Sequence, residues 1–279
     1  MAWGKISVTN KDASPHTYRV NEPEDLPSWI NAVAAEYVAL RTECLVSISS
    51  PLEIAGVGIV NIESIQRRLQ QACVPESDLH RNQFSITRSD LSEVAAYMTL
   101  EKDYSTEIGF KLTRDRELIT LPGRGIDAIG IEKGDKLVVV LTEVKFSDEN
   151  SAPKPPGVVD RKKDSMRNQH KAHLKEREET TKKLFECARK AKDEELRNQY
   201  LRAAFYLDDE RWDLMEVVSC CVLVRPKERY SDGDFGSFIN SPNDFKPANV
   251  RFIVISLPDN LDNIMKSWSE RVEEMRLSQ

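Results

Sequence analysis

No cysteine pattern in this 279-residue sequence supports a disulfide-stapled or zinc-bound scaffold. The five cysteines, Cys44, Cys73, Cys187, Cys220 and Cys221, are odd in number, with no C-x-x-C pair and no companion histidine spacing. Cys220-Cys221 falls inside an apolar run and reads as strand core, as in a reduced, cytoplasmic protein. An apolar run of membrane length is missing too, and the start, MAWGKISVTNK, lacks the basic-then-apolar layout of a secretion signal. There is no excess of positive charge: the net charge is −6, which argues against indiscriminate coating of nucleic acid. Internal repeats and low-complexity tracts are also lacking, which excludes a solenoid.

What is there is the composition of a soluble globular protein, 40% hydrophobic and 31% charged, in a chain long enough to bury a full core. The charge is unevenly placed. Residues 1–110 hold 15 acidic and 9 basic side chains, whereas residues 161–183 hold 9 basic and 4 acidic. A local basic face on an acidic protein is compatible with phosphate contact confined to one place.

Along the chain, residues 1–25 read as an irregular arm or edge strand. Leu26 to Arg41 has helical apolar spacing with Ser28 as its cap. Cys44 to Ser50 alternates like a strand, Ile54 to Val60 is apolar and Gly-punctuated, and Ile62 to Ala72 is a second amphipathic helix. A boundary near Leu79–Gln83 separates an N-terminal α+β lobe (1–83) from the remainder (84–279). Asp90 and Glu93 match a capping box opening a helix striped by Leu91, Val94, Ala95 and Met98. Ile108 to Leu112 and Glu117 to Leu121 are short strand candidates. Asp164 to Tyr206 reads as two charged helices, and Arg225 to Pro247 as a long loop. Met215 to Val224 and Val250 to Leu257 are buried strands, and Leu261 to Met275 a closing helix. Continuous apolar strands need both faces covered, so the fold class is α/β, a mixed sheet flanked by helices.

The informative stretch is LPGRGIDAIGIEKGDKLVVVLTEVKF, Leu121 to Phe146, which reads as a β-hairpin turning at Lys133-Gly134-Asp135-Lys136. Glu143 and Lys145 interrupt its second strand. Residues two apart on a strand share a face, so carboxylate and ammonium lie together, and Asp127 on the partner strand adds a second carboxylate. The chain holds three carboxylate-x-lysine triplets. Asp160-Arg161-Lys162 lies in a solvated charge run and Asp244-Phe245-Lys246 in a Pro/Asn-rich loop. Only Glu143-Val144-Lys145 breaks a buried strand, where an unpaired charge costs several kcal/mol and usually has a role. The rival reading is a plain Glu–Lys pair at a sheet edge.

Glu93 on a helix, Asp127 on one strand and Glu143-x-Lys145 on the next resemble the PD-(D/E)XK nuclease superfamily, whose helix–three strands–helix–strand core fits residues 90–225. The proline of that motif is absent here, with Gly125-Ile126 before Asp127. More narrowly, S-E-V-A-A-Y, R-G-I-D and L-T-E-V-K-F-S resemble the nuclease subunits of Hachiman-type anti-phage defence (the HamA family). The resemblance implies a restriction-endonuclease-like core and a Mg²⁺- or Mn²⁺-dependent deoxyribonuclease in the bacterial cytoplasm, partnered and restrained by a superfamily 2 helicase (HamB-like).

Carried over, the resemblance makes Asp127 and Glu143 metal ligands, with a backbone carbonyl near Val144 as a further one. Lys145 is the residue that orients the attacking water or stabilises the phosphorus centre. Glu93 completes the site, or else serves only as a helix cap. Arg124 touches the phosphate or pairs with a surface carboxylate. Gln169 or Lys171 is the polar residue lent by the following helix, and the basic density of Arg161, Lys162, Lys163, Arg167, Lys171 and Lys175 is expected to track a DNA backbone. His170 and His173 read as exposed histidines. The closing helix (Ile264, Trp268, Val272, Met275) reads as core or as a partner-docking face. No small-molecule cofactor is indicated. Two rivals remain: a non-catalytic nucleic-acid-binding scaffold, and a stand-alone restriction or repair nuclease.

Overall fold

The computed structural model describes residues 6–43, 50–54, 56, 58–74, 84–115 and 125–277. The expected strands at Cys44 to Ser50 and Glu117 to Leu121, the boundary at Leu79–Gln83 and Arg124 lie wholly or almost wholly outside them.

The three most apolar stretches become the centre of a seven-stranded sheet, because only there are both faces covered. They are β7 (Leu137–Phe146), β8 (Met215–Pro226) and β9 (Asn249–Leu257), all mutually parallel. β6 (Ala128–Glu132) pairs antiparallel with β7, and β5 (Glu107–Lys111) antiparallel with β6. At the other edge β2 (Thr17–Pro23) runs parallel to β9 and carries the antiparallel β1 (Ile6–Asn10). The order is therefore β1-β2-β9-β8-β7-β6-β5. A small hairpin, β3 (Leu52–Ile54) with β4 (Gly58–Val60), stands apart.

One face is covered by α1 (Leu26–Thr42), α3 (Phe84–Asp103) and α10 (Leu261–Leu277), with α2 (Ile62–Cys73) beside α10. Trp29, Val94, Tyr97 and Trp268 there meet Val140, Val144, Cys220 and Ile253 of the sheet in one core. Residues 6–42, expected within a separate lobe, thus share sheet and core with the rest of the chain. Ile264, Trp268 and Val272 are core, which removes the closing helix as a docking face.

Two helix starts differ from expectation. The cap of α1 is Asp25, whose Oδ1 accepts the Ser28 amide at 3.2 Å, so Ser28 is the capped residue and not the cap. α3 begins at Phe84, which puts Asp90 and Glu93 in mid-helix; no capping box forms there. The buried Asp90 accepts the Tyr37 hydroxyl instead (3.1 Å).

The opposite face is built by the chain between β7 and β9. Outside that segment, α4 (Leu112–Asp115) is a single turn after β5 that packs beside α1 and α3. After β7 come the short α5 (Gly157–Asp160), then α6 (Met166–Lys175), α7 (Arg177–Lys190) and α8 (Glu194–Asp208). The expected two helices are three, broken at Glu176 and at residues 191–193, where the Asp193 side chain caps α8. The expected loop Arg225 to Pro247 holds α9 (Gly236–Asn240) and three 3₁₀ turns. α9 and the two turns that hold Phe235 and Phe245 form because Phe235, Phe238 and Phe245 bury against Tyr18, Leu223 and Phe252. This face therefore carries two apolar clusters, one under α7 and α8 and one under α5 and α9. Cys220 and Cys221 are buried strand core as expected, and Cys73 and Cys187 are also free thiols. Among the described residues no helix is long and apolar enough to cross a membrane.

Candidate active site

Glu143 lies on the β7 face that the two apolar clusters share, with Leu141 in one cluster and its ladder partner Cys221 in the other. It is wholly buried, a carboxylate at the seam of an otherwise apolar surface. Ala128↔Thr142 is the last ladder pair between β6 and β7. Beyond it the Asp127 amide still reaches the Thr142 carbonyl (3.1 Å), and the Asp127 side chain turns back across the gap. Its Oδ2 accepts the Val144 amide at 2.7 Å. An N–H and C=O of one strand residue point the same way, so the Val144 carbonyl faces this gap too. Gly125 enters β6 with φ +84°, a conformation open chiefly to glycine, and a Cβ there would meet Lys183 Nζ at 2.8 Å. The Gly125-Ile126-Asp127 sequence thus delivers Asp127 to the ladder's end.

Glu93 approaches from α3. Its Oε2 accepts the Thr113 hydroxyl at 2.5 Å, and the Tyr97 hydroxyl lies between that oxygen (3.3 Å) and the Asp127 carbonyl (3.1 Å). Tyr97 Oη also accepts the Thr113 amide (3.4 Å). Burial pushes the Asp127 carboxyl well above the usual range, and the negative charges of Glu143 and then Glu93 push it further. Lys145 and the Val144 N–H pull the other way. Asp127 therefore feels the charges of both Glu143 and Glu93, and Lys145 Nζ lies 3.8 Å from Glu143 Oε2.

The structure adds a residue that the sequence reading set aside. His173 on α6 is only 13% exposed in its side chain, and its Nε2 is 2.7 Å from Glu143 Oε1. His170, one turn earlier, is fully buried, edge-on to His173 (centroids 6.4 Å) and to Phe238 (6.0 Å). Neither is a surface histidine. Met166, His170 and Leu174 make the inward stripe of α6, and that spacing was the available signal.

The basic residues are less free than their density implies. Arg161 pairs with Glu149 at 2.6 Å, and Arg167 and Lys171 share Asp244, each at 3.0 Å. Lys162 and Lys163 are exposed. Gln169 has a buried Oε1 without a hydrogen-bond partner, and it precedes His173 by one turn. Lys171 is tied to Asp244 at 3.0 Å.

Among the described residues, no group of three or more His, Cys, Asp and Glu side chains converges to cage a metal ion unaided. Magnesium does not require a cage, since it keeps several waters and takes one or two carboxylates plus substrate phosphate. The donor chemistry fits that pattern. Glu143 Oε2 is buried without a hydrogen-bond partner, and Asp127 faces like charges that a cation would relieve. Comparison with protein-family models, curated proteins and solved structures finds no match for this chain.

Proposed function

We propose that this protein is a divalent-cation-dependent nuclease that hydrolyses DNA phosphodiesters at the end of the β6–β7 ladder. One observation carries the reading: the buried Asp127 is fixed to the Val144 amide, next to Glu143 in the chain, where the charges of Glu143 and Glu93 both bear on it, and Lys145 stands two residues after Glu143 on the same strand. Like carboxylates buried together repel, and folding retains them only where a role or a counter-ion accounts for them. The succession α3, then the β5-β6-β7 meander, then helices, then β8 parallel to β7, agrees with the helix–three strands–helix–strand order implied by the resemblance.

Asp127 and Glu143, with the Val144 carbonyl, would hold Mg²⁺ or Mn²⁺. When bound, such an ion acidifies a water and neutralises charge on the scissile phosphate. Asp127 is fixed for this by the Val144 amide. Lys145 sets a positive charge beside Glu143, where it aligns the incoming water or stabilises the charge gathering on phosphorus. Glu93 is held by Thr113 and Tyr97, with its negative charge bearing on Asp127. The exposed Lys162 and Lys163 supply cations for a DNA backbone near α6. The narrower resemblance extends the proposal to anti-phage defence, with a helicase that holds the nuclease in check.

The test is cleavage of labelled DNA with Mg²⁺ or Mn²⁺ by wild type and by a Glu143→Ala, Lys145→Ala double variant. Wild type should cut and the folded double variant should not. A double variant that still protects cells against phage as well as wild type would favour the scaffold reading. Co-purification with a helicase tests the partnership, and a monodisperse lone protein from cells expressing both counts against it.

A further inference from the structure

We infer that His173 is a positioning residue for Glu143, fixing one carboxylate oxygen so that the other is presented to a divalent cation. The inference rests on the metal-dependent reading above and adds to it a residue outside the Asp–Glu–Lys set. The two oxygens of Glu143 are in different circumstances. Oε1 is 2.7 Å from His173 Nε2. Oε2 is buried, has no hydrogen-bond partner and is 3.8 Å from Lys145 Nζ, beyond hydrogen-bond reach. A fully buried carboxylate oxygen without a donor is costly, and a cation is the group that satisfies it.

The contact needs a proton on Nε2, because an ionised carboxylate only accepts. In the inferred arrangement Nε2–H of His173 donates to Oε1, which stops the carboxylate from rotating and leaves Oε2 as the ligating atom. Hydrogen bonds to metal-ligating groups of this kind typically hold about 10- to 100-fold of metal affinity. The ring is itself held in place. His173 lies on α6, which packs against β7, and the buried His170 stands edge-on to it at 6.4 Å and edge-on to Phe238 at 6.0 Å. α6 thereby braces the strand that carries Glu143 and Lys145.

The experiment is titration of Mn²⁺ into the metal-free full-length protein by calorimetry, for wild type, His173→Ala, His173→Gln and Glu143→Gln, alongside thermal melting of each. Glu143→Gln should lose binding. His173→Ala should weaken binding about 10- to 100-fold, and His173→Gln, whose amide still donates, should recover most of the loss. A merely structural role would move the melting temperature without moving the Mn²⁺ affinity. Equal affinity in wild type and His173→Ala overturns the positioning role and leaves the nuclease reading intact. Absence of binding in wild type overturns the metal site and this inference with it. A second readout needs neither metal nor variant: nitrogen NMR of the His173 ring in the metal-free protein. A protonated Nε2 is expected, and a bare Nε2 overturns the inference.

Discussion

The Val144 amide donates to Asp127 Oδ2 at 2.7 Å, so a side chain from one strand takes the hydrogen bond that the next residue of β6 would otherwise have made. This contact fixes Asp127 beside Glu143, although burial and the neighbouring charges of Glu143 and Glu93 raise its carboxyl pKa well above the usual range. An acid whose folded pKa is raised contributes stability at low pH, and that contribution is lost as pH rises through the unfolded value of about 3.9 and onward. Asp127→Asn keeps an acceptor for the Val144 amide and removes the charge. In chelator at pH 8 the Asp127→Asn variant should therefore melt above wild type. Millimolar Mg²⁺ should raise the wild-type melting temperature and leave the variant unchanged. Differential scanning calorimetry with and without Mg²⁺ reads both, and a variant that melts lower in chelator contradicts the charge argument.

Lys145 separates chemistry from binding. It sits 3.8 Å from Glu143 Oε2 and is 19% exposed in its side chain, close to the carboxylates without closing a hydrogen bond to them. Lys145→Ala should cut the single-turnover cleavage rate about 10²- to 10³-fold, the usual loss on removing one electrostatic donor. Mn²⁺ affinity should stay within a few-fold of wild type. If Lys145→Ala loses cation binding as fully as Glu143→Gln does, the lysine is structural.

Tyr97 ties the third carboxylate to the sheet. Its fully buried hydroxyl touches Glu93 Oε2, the Asp127 carbonyl and the Thr113 amide. Tyr97→Phe strands the Thr113 N–H and loosens both Glu93 and Asp127. A loss of about 1–3 kcal/mol is expected in urea unfolding, together with reduced cleavage. A neutral Tyr97→Phe would mean that Glu93 and Asp127 are held in place without the Tyr97 hydroxyl.

How much of this was visible in the sequence depends on the residue. Glu143 and Lys145 stood out because charges rarely enter an apolar strand, and the turn at Lys133–Lys136 placed Asp127 across from them. The helix-covered mixed sheet followed from three unbroken apolar runs, whereas their parallel pairing is shown by the ladders. His173 was hidden because α6 lies in a charge run whose helical phase no Gly or Pro marks. Glu93 was ambiguous for a related reason: a capping-box match means little unless the helix starts there, and α3 starts six residues earlier. The merging of β1 and β2 into the main sheet depends on a parallel pairing of Thr17 with Arg251, a contact too distant in sequence for local patterns to show. α9 and the turns around Phe235 and Phe245 are held by buried phenylalanines, which their Gly- and Pro-rich setting disguised as a loop.

The basic segment has two kinds of cation, and they should behave differently. Lys162 and Lys163 are exposed, whereas Arg167 and Lys171 are shared by Asp244. Replacing Lys162 and Lys163 together with alanine should lower the slope of log affinity against log salt by about 2 for duplex DNA, without altering Mn²⁺ binding. Asp244→Asn releases Arg167 and Lys171 and should raise DNA affinity at low salt. Salt titrations of fluorescence anisotropy distinguish the cases. An unchanged slope in the lysine double variant would move the DNA path away from α6.

His170 gives the fold a pH limit of its own. Its ring is wholly buried, and burial first, then the neighbouring His173 and Lys145, lowers its pKa to about 3. A base with a depressed folded pKa contributes stability above its unfolded pKa of about 6.5 and loses it as pH falls toward the folded value. Held from 6.5 down to about 3, it sets an upper bound of about 5 kcal/mol on that loss. The window, about pH 6.5 to 3, begins above the range where most carboxylates titrate, so its upper part is diagnostic. Urea midpoints of wild type should fall between pH 6.5 and 5, while those of His170→Leu should stay flatter across the same interval whatever their absolute level. If the two curves run parallel, His170 is solvated or partnered in solution, and the packing of α6 against β7 is looser than the ring geometry implies.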